Sequence, residues 1–468
     1  MRKTKIICTL GPSSEDPETI RRLILAGMNI ARFNMSHGSH EDHARRMNVV
    51  RTVSKQLGMP VGILLDTKGP EVRLRNFKGG KAQVKDGQTF TFTVDECEGD
   101  SNRASCNFPD LYKDLVPNDI IMVNDGLCQF QVKEVKGHDI ITRCLRGGTI
   151  TDKKSMNFPN KILSMPFISE ADRSDLLFGV EQKVDFIAAS FVSDKMNVVE
   201  MRQLINHAGG KNIEIISKIE NSHGIDNIDE IYSVCEGVMV ARGDMGVEIP
   251  FTKLPGIQKA IVAKARVLGK RVIVATEMLE SMINNPRPTR AETNDVSTAV
   301  RQGASAVMLS GETAAGKYPV QCVDTMSAIA LETEKSMDYF QELKNQTFII
   351  NDMTSAICHA ACNAALTLGV KCIMTFTSSG KTAKMISRFR PGMPIIACTS
   401  DPQTYTRLTL GWGLTPVMVG EYLKSEDLYE EATKIAKSRG CREGDTFIVT
   451  SGLPLHGETN IMKIITIK

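Results

Sequence analysis

Residues 213–224 read IEIISKIENSHG, and this stretch contains the unit from which the fold is built. Its apolar residues Ile213, Ile215 and Ile216 are typical of a buried strand, but the strand leads into Lys218 and Glu220. Side chains two residues apart in a strand point to the same face. We therefore expect an ammonium group and a carboxylate to point the same way at the end of a core strand, where packing requires neither.

The same pattern of a short apolar run, a polar or glycine-rich tip and a helical stretch occurs eight times. The runs are KIICTL (5–10), NIARFNMS (29–36), GILLDT (62–67), FIAASF (186–191), EIISKIE (214–220), GVMVARGD (237–244), RVIVATEM (271–278) and AVMLSGET (306–313). Near-continuous apolar strands that alternate with helices indicate a parallel sheet covered on both faces. Eight of them predict an α/β fold with a (β/α)8 TIM barrel, and a doubly wound sheet is the alternative.

Two regions do not belong to this eightfold repeat of strand and helix. Between 66 and about 170 the helical pattern gives way to alternating strands, such as AQVKDGQTFTFTV (82–94), with glycines between them. This predicts an inserted all-β unit, a β-barrel lid domain over 70–168, which divides the TIM barrel into 1–69 and 169–344. A further α/β pattern predicts a separate C-terminal regulatory-type domain over 345–468.

Composition narrows the class of protein. The 468 residues carry a net charge of +3, which argues against nucleic acid as the main partner. No stretch reaches membrane-spanning length, so we expect no membrane partner. The 12 cysteines form no C-x-x-C pair and fit a reducing, cytoplasmic setting. Cys358 and Cys362 are better explained as small buried helix residues than as zinc ligands.

In such a barrel, chemistry takes place at the carboxyl ends of the strands. Glu220 and Asp244 end neighbouring strands, and two carboxylates in one pocket stay ionised only if a cation lies between them. Oxygen ligands suit Mg2+ or Mn2+. Lys218 would then be free to contact an anion, with Arg32 as a second fixed cation. A plain Lys218–Glu220 salt bridge is the alternative.

Two other groups of residues carry chemistry. Gly243 and Asp244 precede a helical stretch and could seat an anion on backbone N–H groups, although a glycine needed only for the turn is the alternative. A second oxygen cluster has one carboxylate and suits a monovalent cation; it comprises Asn34, Ser36, Asp66 and Thr67. The alternative is that Ser36 and Thr67 cap the following helices. Cations and a divalent metal around an anion indicate phosphoryl transfer.

Six motifs, in order along nearly the whole chain, resemble the pyruvate kinase family. They are ARFNMSHG (31–38), LLDTKGPEVR (64–73), ISKIEN (216–221), VMVARGDMGVEIP (238–250), NPRPTRAE (285–292) and AVMLSGETAAGKYP (306–319). The short N-terminus is similar to the bacterial type. The resemblance implies transfer of the phosphoryl group of phosphoenolpyruvate to ADP, giving pyruvate and ATP in the final step of glycolysis. It also implies a homotetramer with a barrel, a lid and an allosteric C-terminal domain.

The resemblance implies a role for each matching residue. Glu220 and Asp244 would hold Mg2+ (or Mn2+), Lys218 would stabilise the migrating phosphoryl group and the enolate, and Arg32 would contact the phosphate. Gly243, Asp244 and Thr276 would lie at the substrate. K+ would lie at Asn34, Ser36, Asp66 and Thr67, and Glu71 is the residue type of K+-dependent members. Arg73 and Lys154 would reach the nucleotide phosphates. Thr276, Ser310 and Glu312 are all candidates for delivering the proton to the enolate.

Some positions depart from the family pattern. Glu277 stands where Gln is usual; we expect little effect, because in a strand it would face away from Thr276. Ser155 and Asn160 replace glycines, and Asn124 replaces an aspartate.

The segment TSSGKT (377–382) predicts a strand–loop–helix junction that binds phosphate. It is not a nucleotide P-loop, because Thr375 stands where that pattern requires glycine. By resemblance it is an effector site with Thr377, Ser379, Lys381 and Thr382 as ligands and the loop 452–460 as a lid. A sugar bisphosphate, a sugar monophosphate and AMP all stay open as the effector, and a solvated loop without a ligand is the alternative.

Two rival functions are considered. A Schiff-base aldolase would use Lys218 as its nucleophile, which requires a lowered pKa. A non-catalytic sensor of sugar phosphates would need only the C-terminal domain.

Overall fold

The structure is a computed structural model that describes residues 1–422, 424–453 and 457–468. Within these residues, no helix combines the length and the apolar character required to cross a membrane. The predicted effector lid, 452–460, falls partly on 454–456, which lie outside the described residues.

Eight parallel strands close into a barrel in the order in which they follow one another along the chain, which confirms the TIM barrel over the doubly wound sheet. The strands are Lys5–Thr9, Ile30–Asn34, Gly62–Asp66, Phe186–Ala189, Glu214–Ile219, Gly237–Ala241, Arg271–Ala275 and Ala306–Leu309. The helices packed around them are Pro17–Ala26, His40–Leu57, Glu170–Glu181, Lys195–His207, Ile228–Val234, Leu254–Leu268, Arg290–Gln302 and Pro319–Lys335. Shorter helices cover Ser222–Asp226, Arg242–Glu248, Gly311–Ala314 and Tyr339–Asn345.

The barrel strands are apolar on both faces because each face has its own core. Side chains such as Ile7, Leu64 and Ile216 fill the barrel interior. Their neighbours in sequence, such as Leu65 and Ile215, pack outward against the helices. This two-sided burial is why the strands read as continuous apolar runs rather than as alternating ones.

The lid is inserted between the third and fourth barrel strands and has a core of its own. One sheet has seven strands: Val72–Arg73, Ser155–Asn157, Ile120–Val123, Cys128–Lys136, Asp139–Arg146, Thr89–Thr93 and Arg103–Ser105. Gly148–Thr151 and Lys81–Val84 form a second, two-stranded sheet. The two edges of the larger sheet meet through a bridge between Leu74 and Cys106, so it curls back on itself.

Two of the asparagines that depart from the family pattern have a physical reason in the lid. Asn160 has φ of 61° and Asn124 has φ of 57°. This left-handed region suits glycine and, among other residues, asparagine best. The replacement of glycine at 160 therefore keeps a backbone conformation that few side chains tolerate.

The C-terminal domain is a five-stranded sheet with helices on its faces. Its strands are, in spatial order, Leu414–Met418, Ile395–Thr399, Ile373–Phe376, Thr446–Ser451 and Ile461–Thr466, the last of them antiparallel. Its helices are Met353–Leu368, Lys381–Phe389, Pro402–Arg407 and Ser425–Ser438. The domain contacts the amino end of the barrel, where Lys5 Nζ donates to the Leu414 carbonyl at 2.6 Å.

Candidate active site

Lys218 and Glu220 lie on the same side of the fifth barrel strand, as their spacing predicts. Lys218 Nζ is 2.9 Å from Glu220 Oε1. The ammonium also donates to Ser190 Oγ at 2.7 Å and lies 3.1 Å from Asp66 Oδ1. The predicted salt bridge therefore exists, but as one part of a network in which Lys218 also contacts Asp66 and Ser190. Lys218 is only 9% exposed.

Asp66 connects this lysine to the second predicted cation. Arg32 Nε donates to Asp66 Oδ2 at 2.6 Å, and Arg32 Nη1 donates to Thr9 Oγ1 at 2.8 Å. Burial alone would raise the pKa of Asp66, but Arg32 and Lys218 outweigh it and lower that pKa. Burial likewise opposes the charge on Lys218, yet Asp66 and Glu220 outweigh it and raise the pKa of Lys218. A Schiff-base lysine requires the opposite shift, so the aldolase alternative is disfavoured.

Sequence reasoning missed Thr9 and Ser190, which hold the two cations in place. Thr9 ends the first strand and Ser190 follows the fourth strand, the two barrel strands on which the sequence indicated no site residue. Ser190 Oγ donates to the Thr67 carbonyl at 2.6 Å while it accepts from Lys218. The only available signal was that both hydroxyls stand at a barrel-strand tip.

Glu220 is completely buried, and its two oxygens differ. Oε2 accepts from the Phe191 N–H at 2.6 Å. Among the residues that the structure describes, Oε1 has no partner with good hydrogen-bond geometry, although Lys218 Nζ lies beside it. Burial raises the pKa of Glu220 to about 7; Lys218 opposes the shift, and the nearby charge of Asp244 adds to it.

An unsatisfied buried carboxylate oxygen next to a second carboxylate is the donor set that a hard divalent cation requires. Glu220 and Asp244 therefore fit Mg2+ or Mn2+. In the described parts of the chain, no three or more His, Cys, Asp or Glu residues cluster as a complete metal cage. Two carboxylates leave most coordination positions of such an ion to other ligands, which suits a catalytic site.

The backbone N–H of Gly243, which was expected to be free to bind an anion, is not free. The Gly243 N–H donates to Thr276 Oγ1 at 2.8 Å, so this backbone donor is already engaged. The helix that starts at Arg242 is short, Arg242–Glu248. Gly243 and Thr276 are nevertheless brought together, because each follows the end of one of two neighbouring barrel strands.

The premise that Thr276 and Glu277 continue the seventh strand is wrong, so strand alternation does not apply to Glu277. The seventh strand ends at Ala275, and both following residues are left-handed, with φ of 66° at Thr276 and 52° at Glu277. Arg242 braces this bend, because it donates to the Ala275 and Thr276 carbonyls and pairs with Asp295 at 2.6 Å.

Of the three candidates for the proton relay, Glu312 is held by the backbone. Its carboxylate accepts from the Leu279 N–H at 3.1 Å and from the Ser310 N–H at 2.7 Å. It is completely buried. Ser310 Oγ is buried without a partner in the described chain, and Thr276 Oγ1 donates to the Ala275 carbonyl at 2.6 Å. These contacts leave Thr276 and Ser310 as the stronger candidates.

The predicted K+ ligands lie on two neighbouring strands. Asn34 and Asp66 are paired in register at the ends of the second and third strands. Asn34 Oδ1 accepts from the Ser36 N–H at 3.1 Å. The helix-capping alternative is wrong, because Ser39 caps the helix His40–Leu57 and Thr67 leads into the lid.

A large open cleft of about 890 Å3 runs between the barrel and the lid. Arg73 lines it, with Nε bonded to Glu71 at 2.8 Å and Nη1 donating to the Lys153 carbonyl at 2.9 Å. Lys153, which the sequence analysis did not select, lines the cleft. Lys154 is partly buried beside it, and its carbonyl accepts from the Leu74 N–H at 2.9 Å.

The C-terminal segment forms the predicted strand–loop–helix junction. The strand Ile373–Phe376 leads through Gly380, with φ of 82°, into the helix Lys381–Phe389. Thr377, Ser379, Lys381 and Thr382 line a pocket of about 260 Å3. Thr382 Oγ1 is 2.5 Å from Thr459 Oγ1, which joins the loop to the segment after the last parallel strand.

Fold and site together define a class, the TIM-barrel enzymes that act on small anionic substrates at the carboxyl ends of the strands. A family model described as "Pyruvate kinase, barrel domain" matches residues 1–323, and one described as "Pyruvate kinase, alpha/beta domain" matches 355–465. The chain therefore belongs to the pyruvate kinase family, in its bacterial type, and is a phosphotransferase enzyme.

Individual relatives agree with this assignment. A pyruvate kinase of Clostridium perfringens is 45% identical over 99% of this chain and 99% of its own length. A pyruvate kinase of Geobacillus stearothermophilus is 44% identical over 99% of this chain and 80% of its own length. The crystal structure of a pyruvate kinase from Cryptosporidium parvum has a TM-score of 0.95 and 38% identity, covering 100% of this chain and 96% of that one.

Proposed function

We propose that the enzyme transfers the phosphoryl group of phosphoenolpyruvate to ADP, giving pyruvate and ATP, as the final step of glycolysis in the cytoplasm. The observation that carries this proposal is the Lys218 ammonium, buried and kept charged between Asp66, Glu220 and Ser190. Phosphoryl transfer needs a fixed positive charge of this kind more than it needs covalent chemistry.

The side chains around Lys218 have distinct tasks in this reaction. Lys218 faces the phosphoryl group in flight and the enolate that remains behind. Arg32, oriented by Asp66 and Thr9, binds the substrate phosphate through its remaining donors. Thr276, held next to Gly243, lies at the carboxylate of the substrate and is the first candidate for proton delivery.

Glu220 and Asp244 would hold Mg2+ or Mn2+, which when bound neutralises charge on the phosphate oxygens. Glu220 would then use Oε1 for the ion rather than for Lys218. This exchange leaves Lys218 with a donor for the phosphoryl oxygens, because Asp66 and Ser190 occupy only the other two.

Four further assignments are part of the proposal. K+ lies at Asn34, Ser36, Asp66 and Thr67, next to the Arg32–Asp66 pair. Arg73 binds the nucleotide phosphates at the mouth of the open cleft, with Lys154 close by. A phosphorylated effector binds at Thr377, Ser379, Lys381 and Thr382. The enzyme is a homotetramer, as the family resemblance implies.

The proposal is tested by measuring pyruvate formation from phosphoenolpyruvate and ADP, with Mg2+ and K+ omitted in turn. We expect the rate to collapse without Mg2+ and to fall strongly without K+. The Lys218→Met variant should lose turnover while Mn2+ still binds, as measured by electron paramagnetic resonance. Lys195→Met is the matched control, because Lys195 pairs with Glu230 on the outer surface.

Retained turnover in Lys218→Met would contradict the role of the lysine. A full rate in the Glu220→Gln variant would contradict the role of Glu220 as a metal ligand. The absence of turnover in the unaltered enzyme would favour the non-catalytic sensor. A borohydride-stable adduct on Lys218 with a keto acid would favour the aldolase.

A further inference from the structure

A second anion site is suggested by a cavity between the barrel and the C-terminal domain. The cavity has a volume of about 410 Å3. The barrel supplies Arg266, Lys270 and Arg271 to its wall, and the C-terminal domain supplies Lys384 and Trp412. It is separate from the active site, which lies at the opposite, carboxyl ends of the barrel strands.

The wall of this cavity is strongly cationic. Seven lining side chains are positively charged: Arg266, Lys270, Arg271, Lys381, Lys384, Arg388 and Arg390. Of the described residues in the lining, Glu236 is the one that carries a carboxylate, and it pairs with Arg202 outside the cavity. Such a density of one charge sign next to low-dielectric walls attracts counter-charge.

The protein compensates this charge only in part. Glu214 pairs with both Arg271 and Lys384, and Arg266 pairs with Glu342 at 3.0 Å. The other pairing is weak, since Lys381 Nζ lies 3.8 Å from Glu458 and both side chains are exposed.

Three of the cations have no carboxylate partner among the described residues. Lys270 donates to the Cys235 carbonyl at 2.7 Å, Arg388 to the Ile349 carbonyl at 3.1 Å and Arg390 to the Gly303 carbonyl at 2.6 Å. Buried guanidinium nitrogens without an acceptor remain on four arginines of the lining: Arg266, Arg271, Arg388 and Arg390. Buried cations normally have anionic partners, so the wall is short of negative charge.

Burial and crowding also lower the pKa values of these cations. Burial lowers the pKa of Arg271 and of Arg390 to about 9, and a neighbouring arginine adds to the shift in each case. Burial, with Arg271 and Arg407 adding, lowers the pKa of Lys384 well below its usual value. A bound anion would reverse the part of this destabilisation that comes from mutual repulsion.

We propose that this interdomain cavity binds a small metabolite with two or more negative charges on phosphate groups, held by Lys270 from the barrel and by Lys384, Arg388 and Arg390 from the C-terminal domain. The site is additional to the effector pocket of the 377–382 loop and does not depend on the proposed reaction. The helix Lys381–Phe389 separates the two cavities, and Ser379 and Lys381 line both. Because the ligand would contact both domains, it would strengthen their association.

The chain contains a built-in reporter for this cavity. Trp412 is the single tryptophan of the sequence, it lines the cavity and it is 3% exposed. The Arg390 guanidinium carbon lies 4.4 Å from the centre of its ring. A ligand that draws Arg390 toward a phosphate should therefore change the tryptophan emission.

The experiment follows Trp412 emission while the full-length enzyme, without substrates, is titrated with inorganic pyrophosphate and, separately, with fructose 1,6-bisphosphate. Sodium chloride at matched ionic strength is the reference. We expect Trp412 emission to change and to saturate below about 10 mM ligand for at least one probe. The probe that binds more tightly shows whether the site prefers free phosphate groups or phosphate groups on a sugar. The Lys270→Met and Lys384→Met variants should raise the half-saturation concentration at least about tenfold.

Two control variants separate this cavity from other sites. Lys434→Met removes one positive charge from the exposed face of Ser425–Ser438 and should leave the titration unchanged. Thr382→Ala alters the effector pocket alone and should preserve the Trp412 response. If one lysine variant fails to fold, as judged by circular dichroism, the other still tests the site. No response to either probe overturns the proposal, as does a response that survives both lysine substitutions or that disappears in Thr382→Ala.

Discussion

Ser190 should control the reaction through the position of Lys218, and the Ser190→Ala variant tests this. The hydroxyl accepts from Lys218 Nζ at 2.7 Å and donates to the Thr67 carbonyl at 2.6 Å. It thereby ties the ammonium to the backbone at the end of the third barrel strand. Without it, Lys218 keeps only the carboxylates of Asp66 and Glu220 as partners.

The magnitude follows from the kind of contact that is removed. A hydrogen bond to a charged group contributes about 1.5–3 kcal/mol. If the bond orients the lysine in the transition state, its loss lowers kcat by about 10- to 100-fold. The KM for ADP should stay unchanged, because Ser190 is completely enclosed and lies away from the cleft lined by Arg73.

The assay is steady-state pyruvate formation at saturating Mg2+ and K+, with kcat and KM determined separately. Ser217→Ala is the matched control, since that buried serine on the neighbouring strand has only the Cys235 thiol beside its hydroxyl. The control should retain full turnover. A Ser190→Ala enzyme with kcat within twofold of the unaltered enzyme would refute the positioning role, and so would an equal loss in Ser217→Ala.

Three further outcomes are expected. Asp185 is buried, and burial raises its pKa from 3.8 to about 6, so its contribution to stability is present below pH 4 and is lost as the pH rises through 6. Asp185→Asn should remove up to about 3 kcal/mol of this loss, seen as a smaller drop in Tm between pH 4 and pH 7. In Arg242→Lys, one ammonium cannot replace the three guanidinium nitrogens that contact Asp295, the Ala275 carbonyl and the Thr276 carbonyl, so kcat/KM should fall at least about tenfold; an unchanged value would show that the bend needs no brace. Glu71→Lys should place an ammonium near the proposed K+ site and make activity in Na+ equal to that in K+, whereas continued K+ dependence would contradict this placement.

Most of the fold was predictable from the alternation and spacing of apolar residues. Eight apolar runs with polar tips predicted the barrel, and the loss of helical periodicity after residue 66 predicted the lid. The shared direction of Lys218 and Glu220 was also predictable, because two-residue alternation is a local property of a strand. Such features depend on residues that are close together in the chain and on their polarity, and both can be read from the sequence.

The partners of these residues depended on the tertiary structure. Thr9 and Ser190 looked like ordinary strand ends, and only the register in which neighbouring barrel strands pair brings them to Arg32 and Lys218. The left-handed bend at Thr276 defeated the alternation argument for the following residue, because packing of the loop against Arg242 sets its backbone.

The cationic cavity likewise could not be predicted from the sequence, because it forms between two domains. Its barrel residues, such as Lys270, and its C-terminal residues, such as Lys384, are more than a hundred positions apart and belong to separate motifs. A sequence determines which residues are charged and which way each strand presents them. The electrostatic potential at a point is a sum over all charges near it, and only the docking of two domains decides which charges those are.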